Sequence, residues 1–189
     1  MPPQRAELKA PFLNNYTISN PAIYVVAALI IAQVACKPQP KEAADYNNKI
    51  ISEQDSIVLK FRALEQTLNE YDPLAMDIAF FEANEQVDTS IIVIKSMPAF
   101  DNKTDYKDSA LEVFSMYKSL LDNEYKEVVT ILKKSELDYT KEDEERVRYL
   151  LFSVINEKLD NAYENIIAIQ TAFAEKYKIT LKGKPQTKR

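Results

Sequence analysis

Cys36 is the chain's one cysteine and stands at a seam, where the apolar run AIYVVAALIIA (residues 22–32) gives way to KPQPKEAAD. A thiol so placed could be a buried core residue, a reactive nucleophile or a point of lipid attachment. The chain has no histidine, which removes Ser-His and Cys-His pairs, imidazole general bases and imidazole metal ligation. A lone cysteine forms no intrachain disulfide. The carboxylates are more numerous but no better placed for chemistry. Glu142-Asp143-Glu144-Glu145 lacks the Glu-x-x-His partner of a di-iron bundle, and its position suits the N-terminal dipole of a helix. Glu124 and Glu157 come closer to apolar faces, as core-edge carboxylates that reach solvent or pair. Tyr117, Tyr125, Tyr149, Tyr163 and Tyr177 recur at helical spacing, as core-edge packing or, alternatively, as a platform for stacking a ligand. Gly183 is the only glycine, so no phosphate-cradling loop is present. The net charge of −5 argues against a nucleic-acid partner. No enzymatic chemistry and no cofactor are expected.

The residues around Cys36 read as an address. Arg5 and Lys9 precede the apolar run, which is too short for the roughly 20 residues of a membrane-spanning helix, and small Ala35 precedes the cysteine. This is the order of a secretory signal. Val34-Ala35-Cys36 resembles the end of the bacterial lipoprotein signal, with Gln33 where leucine is usual. The resemblance implies cleavage before Cys36, acylation of that cysteine and a signal peptide over residues 1–35. An uncleaved anchor helix or plain secretion is the alternative. Residues 36–45 read as a tether and residues 182–189 as a disordered basic tail.

The elements between them must be helices, because one glycine cannot serve the turns of a β-rich fold. Apolar residues recur at three- and four-residue steps. Tyr46, Ile50, Ile57, Phe61, Leu64, Leu68 and Tyr71 mark a first helix, with Gln54 in a core-facing slot. Asp72-Pro73 supplies an N-cap and a first helical residue for a second, which runs to Met97 with Phe80, Ala83, Val87, Ile91 and Ile94 on one face. Its β-branched TSIIVIKSM could instead be a strand, with YKITLK the only other candidate. A third helix spans about 104–134, and a fourth opens at the Thr140 capping box and runs to about 178. Three short connections predict an all-α, antiparallel up-down-up-down four-helix bundle over residues 46–181, with long third and fourth helices. Their hairpin should project past the first corner by roughly 10 Å on 1.5 Å per residue. Leu137, Tyr139, Tyr149 and Phe152 would sit on it as the candidate interaction surface. Phe173 and Tyr177 would pack near Tyr46.

SEQDSI (52–57), KDSALEVFSMYKSLLDNEYKEVVTILKK (107–134) and AFAEKYKITL (172–181), taken in order, are similar to a family of small surface lipoproteins of leptospires and Bacteroidetes. The resemblance implies a helical domain on an outer-membrane lipoprotein, with no catalytic residue or ligand to carry over. The expected function is therefore a non-enzymatic envelope or surface lipoprotein. It would be anchored to the membrane by lipid, and its bundle would contact an envelope or extracellular protein. A carrier of lipid or small molecules, with a cavity among the Tyr and Phe side chains, is the alternative.

Overall fold

The structure, a computed structural model, describes residues 38–181. The signal, Cys36 and the basic tail lie outside those residues. Among the described residues the fold is all-helical, with four helices and one isolated two-residue bridge. Helix α1 is Pro40–Glu70 and α2 is Pro73–Ser96. Helix α3 runs as Asp105–Leu120, a π-helical turn Leu121–Tyr125, and Lys126–Leu132. Helix α4 runs as Lys141–Tyr149, a π-helical turn Leu150–Ile155, and Asn156–Tyr177.

Helix α1 begins earlier than the expected residue 46, so residues 40–45 of the expected tether are helical. Pro40 occupies the first helical position, where its missing N–H costs nothing. The Glu42 carboxylate accepts from the Gln39 N–H at 2.9 Å, and Ala43 is fully buried. At the other end Tyr71 takes a left-handed conformation (φ 56°) and points to solvent instead of continuing the apolar face. Asp72 then caps α2 as its sequence position implies, accepting from Leu74 N–H at 3.0 Å and Ala75 N–H at 3.1 Å. Replacing Asp72 by Ala should lower stability by about 1 kcal/mol, read as a shift of the urea midpoint with an unchanged slope.

The β-branched stretch of α2 is helix, because Val87, Ser90 and Ile94 then fall on one buried face. Phe80 and Ile91, expected on that face, are only partly buried at its edge. The second corner is a tight turn in which Phe100 and Lys103 exchange backbone hydrogen bonds of 2.9 and 3.0 Å. Asp101 and Asn102 both take positive φ (53° and 55°), as a two-residue type I′ turn requires and as Asp and Asn tolerate.

The core is aromatic at one end and through the middle. Tyr46 stacks on Phe173 at 5.9 Å, and Phe173 lies 4.5 Å from Tyr106 and 4.7 Å from Tyr177; the expected meeting of Phe173 and Tyr177 with Tyr46 is therefore present. Phe61 receives Tyr117 and Tyr125 edge-on, each at 5.4 Å. Buried polar bonds fix the lateral fit, since apolar faces alone tolerate sliding. Ser90 Oγ donates to Glu53 Oε2 at 2.9 Å, joining α2 to α1, and Tyr106 donates to Asn47 Oδ1 at 2.8 Å, joining α3 to α1.

Each π-turn resolves a conflict in apolar phase. Leu120 and Tyr125 are both buried, as are Leu150 and Ile155, and each pair is separated by five residues. At 3.6 residues per turn, a five-residue step rotates a side chain about 140° away from its starting direction. An i→i+5 turn absorbs the surplus residue and returns both members to the core. The two turns contact each other.

Surface charges choose partners across helices as often as along them. Arg146 grips Glu127 of α3 through Nε and Nη2 at 2.7 and 3.0 Å. Along the helices, Asp122 pairs with Lys118 and Glu144 with Arg148. A bidentate guanidinium–carboxylate geometry outcompetes a single contact four residues away, although such exposed pairs contribute at most about 1 kcal/mol. Lys133, just past the end of α3, ion-pairs with Asp77 in the second turn of α2. Helix α3 thus ends nearly level with the first corner, and the connection lies beside it.

Burial sets the alkaline limit of this fold. It pushes the hydroxyl of Tyr117 up to about 12, partly offset by a hydrogen bond with Gln54, and it raises Tyr106 and Tyr125 as well. These groups are raised in the folded state, so their contribution is complete below the ordinary value of 10.0 and is lost as pH climbs toward about 12. The part of the tyrosinate absorbance that comes from these buried tyrosines and the helical circular dichroism should therefore change together in that window. Ionisation of all tyrosines near pH 10 with the helices intact would contradict the burial.

Candidate functional site

The residues singled out from the sequence fall into three places. Cys36 lies outside the described residues. Leu137 is 98 % exposed on the connection between α3 and α4. Tyr139, two residues on, packs partly against the core. Burial and then the neighbouring Tyr71, Glu144 and Asp143 raise its hydroxyl above the ordinary value, with Arg148 opposing. Tyr149 and Phe152 are brought together on α4. They line one cleft of about 470 Å³ with Lys141, Glu144, Arg148 and Ser153, and neither Leu137 nor Tyr139 lines it.

Tyr149 has a second neighbour. Its ring also walls a groove of about 670 Å³ between α3 and α4, beside Asp122, Glu124, Glu127, Arg146 and Val154. The Arg146 guanidinium lies 5.8 Å from the ring centre. Arg146 beside Glu127 holds that carboxyl below its usual range. Lys134 and the Thr140 backbone do the same for Asp143, whose carboxylate closes the α4 capping box. The acidic run at the start of α4 is thus a capping and pairing device, as its sequence position implies.

Glu124 is among the residues that line this groove. Its Oε1 accepts a hydrogen bond from Lys158 of α4, while Oε2 is buried with no hydrogen-bond partner. Glu157, the other core-edge carboxylate, is exposed. Lys158 faces a further cleft of about 470 Å³ lined by Ser109, Met116, Asn161 and Ile169. All of these clefts are open surface grooves. Among the described residues no group of three or more Cys, Asp or Glu side chains is placed to hold a metal ion. No helix there is long and apolar enough to cross a membrane.

A surface that the sequence reading passed over lies on α2. Leu74, Ile78, Phe81 and Ile92 are all exposed, although the same helix buries Met76, Ala79, Ala83, Val87 and Ile94. The steps 74, 78, 81, 85, 88 and 92 alternate four and three residues, which places them on one stripe. Glu85 and Asp88 occupy its third quarter, and Asp88 is paired with Lys118 of α3 at 3.1 Å. The available signal was that 73–97 is apolar on more than one face, a pattern that a helix covered on one side does not need.

No protein-family model matches this chain, and no curated protein and no solved structure shows significant similarity to it.

Proposed function

We propose that this chain is a non-enzymatic, lipid-anchored protein of the bacterial cell envelope whose helical domain docks another protein. The observation that carries the docking is the exposed stripe Leu74, Ile78, Phe81 and Ile92 on α2. Exposed apolar side chains grouped on one face mark partner surfaces more often than scattered ones do. The stripe begins at the first corner, where Tyr71 is exposed and Tyr139 lies nearby, so Tyr139 extends the same surface. Anchoring at Cys36 rests on the sequence order of basic flank, apolar run, small residue and cysteine, and so does the outer-membrane location. The resemblance to leptospiral-type surface lipoproteins agrees with it.

The arrangement that would present this surface is the antiparallel up-down-up-down bundle. Lys60 pairs with Glu82, Glu53 with Ser90, and Tyr46 with the Pro98 carbonyl. Numbers falling along α1 as they rise along α2 are what antiparallel neighbours produce. Lys118 with Asn84 and Lys133 with Asp77 repeat the pattern between α2 and α3.

Metabolic labelling with a clickable fatty acid, comparing wild type with Cys36→Ala, tests the anchor, and label should appear on the wild type alone. In-cell photocrosslinking from Phe81 tests the docking. A discrete adduct that Ile78→Glu abolishes is the expected result. Label on neither form removes the anchor, and the absence of an adduct removes the docking.

A further inference from the structure

At the end of the bundle where α1 begins, a hollow of about 280 Å³ lies between the second corner, the start of α3 and the last turns of α4. Its walls are the rings of Phe100, Tyr106, Phe173 and Tyr177, with Lys103, Asp105 and Lys176 among them. The hydroxyls of the two tyrosines are already engaged: Tyr106 donates to Asn47 Oδ1 at 2.8 Å, and Tyr177 donates to Asp101 Oδ2 at 3.1 Å. The charged groups are not. Among the described residues, no ion pair and no side-chain hydrogen bond holds Lys103 or Asp105. Lys176 lies over the Tyr177 ring, 4.7 Å from its centre. Tyr177 first, and Asp101 and Asp105 at longer range, favour its ammonium form, with no described carboxylate at ion-pair distance.

The frame around these charges is fixed. Phe100 and Lys103 close the tight turn by two backbone bonds, and Phe100 meets the Tyr177 ring edge-on at 5.0 Å, which pins the turn to the end of α4. Two cations and one anion set among aromatic walls define the charge pattern of a ligand. A phosphodiester carries one negative charge over two unbridged oxygens, so each lysine can donate to one of them. An ammonium beside it donates to Asp105, and aromatic faces attract cations as well. A simple anion leaves Asp105 opposed, and a hydrocarbon leaves all three charges unmatched. The hollow falls just below the roughly 300 Å³ at which pockets for drug-sized molecules begin, so it holds a headgroup and not a whole lipid.

We propose that this hollow binds the zwitterionic headgroup of an aminophospholipid. Lys103 and Lys176 each take one phosphate oxygen, and Asp105 accepts from the ammonium. The place in the fold favours a membrane lipid over a free zwitterion. Tyr46, within two turns of Pro40, packs on Phe100 at 4.9 Å and on Phe173 at 5.9 Å, so the hollow lies at the end where the chain from Cys36 enters. Four residues of chain lead from Cys36 to Pro40, a reach of at most about 14 Å. The lipid source therefore rests on the anchored reading, and the headgroup chemistry does not. Such a contact orients the domain: the first corner is held away from the bilayer by the 31 residues of α1, about 45 Å of helix.

The test uses the full chain without acylation, so its result stands apart from the anchor. Backbone amide NMR follows titration with glycerophosphoethanolamine. The controls are glycerophosphocholine, glycerophosphoglycerol, inorganic phosphate and 4-aminobutyrate. Glycerophosphoethanolamine should give saturable shifts centred on the segments that line the hollow, Phe100 to Ser109 and Ile169 to Tyr177, and should bind more tightly than any control. Lys103→Ser and Asp105→Asn should each weaken it about two- to fivefold, the range of an exposed ion pair. Ala172→Phe, at an exposed position lining the hollow, should abolish it. Vesicles of phosphatidylcholine with and without phosphatidylethanolamine then decide the source, and the ethanolamine lipid should raise binding of wild type but not of Lys103→Ser. No saturable shift, a control that binds as tightly, or unchanged binding by Lys103→Ser and Ala172→Phe overturns the site. Binding of the soluble headgroup without a response to the ethanolamine lipid overturns the membrane source. Absence of fatty-acid label at Cys36 overturns the anchored reading instead, and is read in a separate experiment.

Discussion

Deleting Ser115 should abolish folding, while deleting Asn123, two turns further along the same helix, should not. Ser115 lies in the regular part of α3. Its removal turns the stretch from there to the π-turn by about 100° about the helix axis. Tyr117, Leu120 and Leu121, now buried, would leave the core together. Each large side chain lost from the core removes about 1.5–3 kcal/mol, so the three come to about 4.5–9 kcal/mol, as much as the whole stability of many domains in the usual range of about 5–15 kcal/mol. Asn123 lies in the π-turn, where the helix already carries one residue too many. Removing it shortens the step from Leu120 to Tyr125 to four residues and lets an ordinary α-turn keep both in the core. What goes is one exposed side chain and its bond to the Ser119 carbonyl at 2.7 Å. Circular dichroism melts decide the matter: a cooperative transition within a few degrees of wild type for the Asn123 deletion, and none for the Ser115 deletion. Loss of the transition in both would show that the π-turn is more than a phase correction.

Tyr125→Ala should cost about 3–5 kcal/mol, the range for removing a large buried aromatic side chain. Tyr125 is fully buried, meets Phe61 edge-on at 5.4 Å, and donates its hydroxyl to Glu65 Oε1 at 2.8 Å. Tyr125→Phe separates the two contributions. It keeps the ring and removes only the donor to a partly exposed carboxylate that water can reach, so a cost of about 1–1.5 kcal/mol is expected. Glu65→Gln should cost a similar amount, and the double variant less than the sum. Equal costs for Tyr125→Ala and Tyr125→Phe would mean that the hydroxyl, and not the packed ring, holds α3 to α1.

The helices were legible because their signals are local. Asp72-Pro73, the Thr140 capping box and the three-and-four spacing of Ile50, Ile57, Phe61 and Leu64 each act within one turn of chain, and the structure uses them as read. Two errors came from local signals with two meanings. The prolines at 38 and 40 mark a tether when nothing follows, yet Pro40 is also a preferred first helical residue, and buried Ala43 decides between the two. Tyr71 continues an apolar rhythm, yet the chain must turn there. The groove was not legible, because Glu124 and Tyr149 are 25 residues apart and meet only through two π-turns. Their trace in the sequence is the five-residue step between Leu120 and Tyr125 and again between Leu150 and Ile155. It becomes informative only once both members of each pair are known to be buried. The cross-helix pairing of Arg146 with Glu127 was hidden for the same reason, since helix-surface rules rank partners within one helix.

The aromatic cluster around Tyr46 has a mechanical consequence. A pull on the N-terminal end of α1, such as a tether would transmit, reaches Tyr46 and Asn47 within two turns of Pro40. Those two residues are joined at once to three other parts of the fold: the Pro98 carbonyl by a hydrogen bond of 3.1 Å, Tyr106 of α3 at 2.8 Å, and the stacked ring of Phe173 in α4. Force entering there is shared among four segments before α1 can peel away, so the first turns of α1 act as a strain relief for the domain behind them.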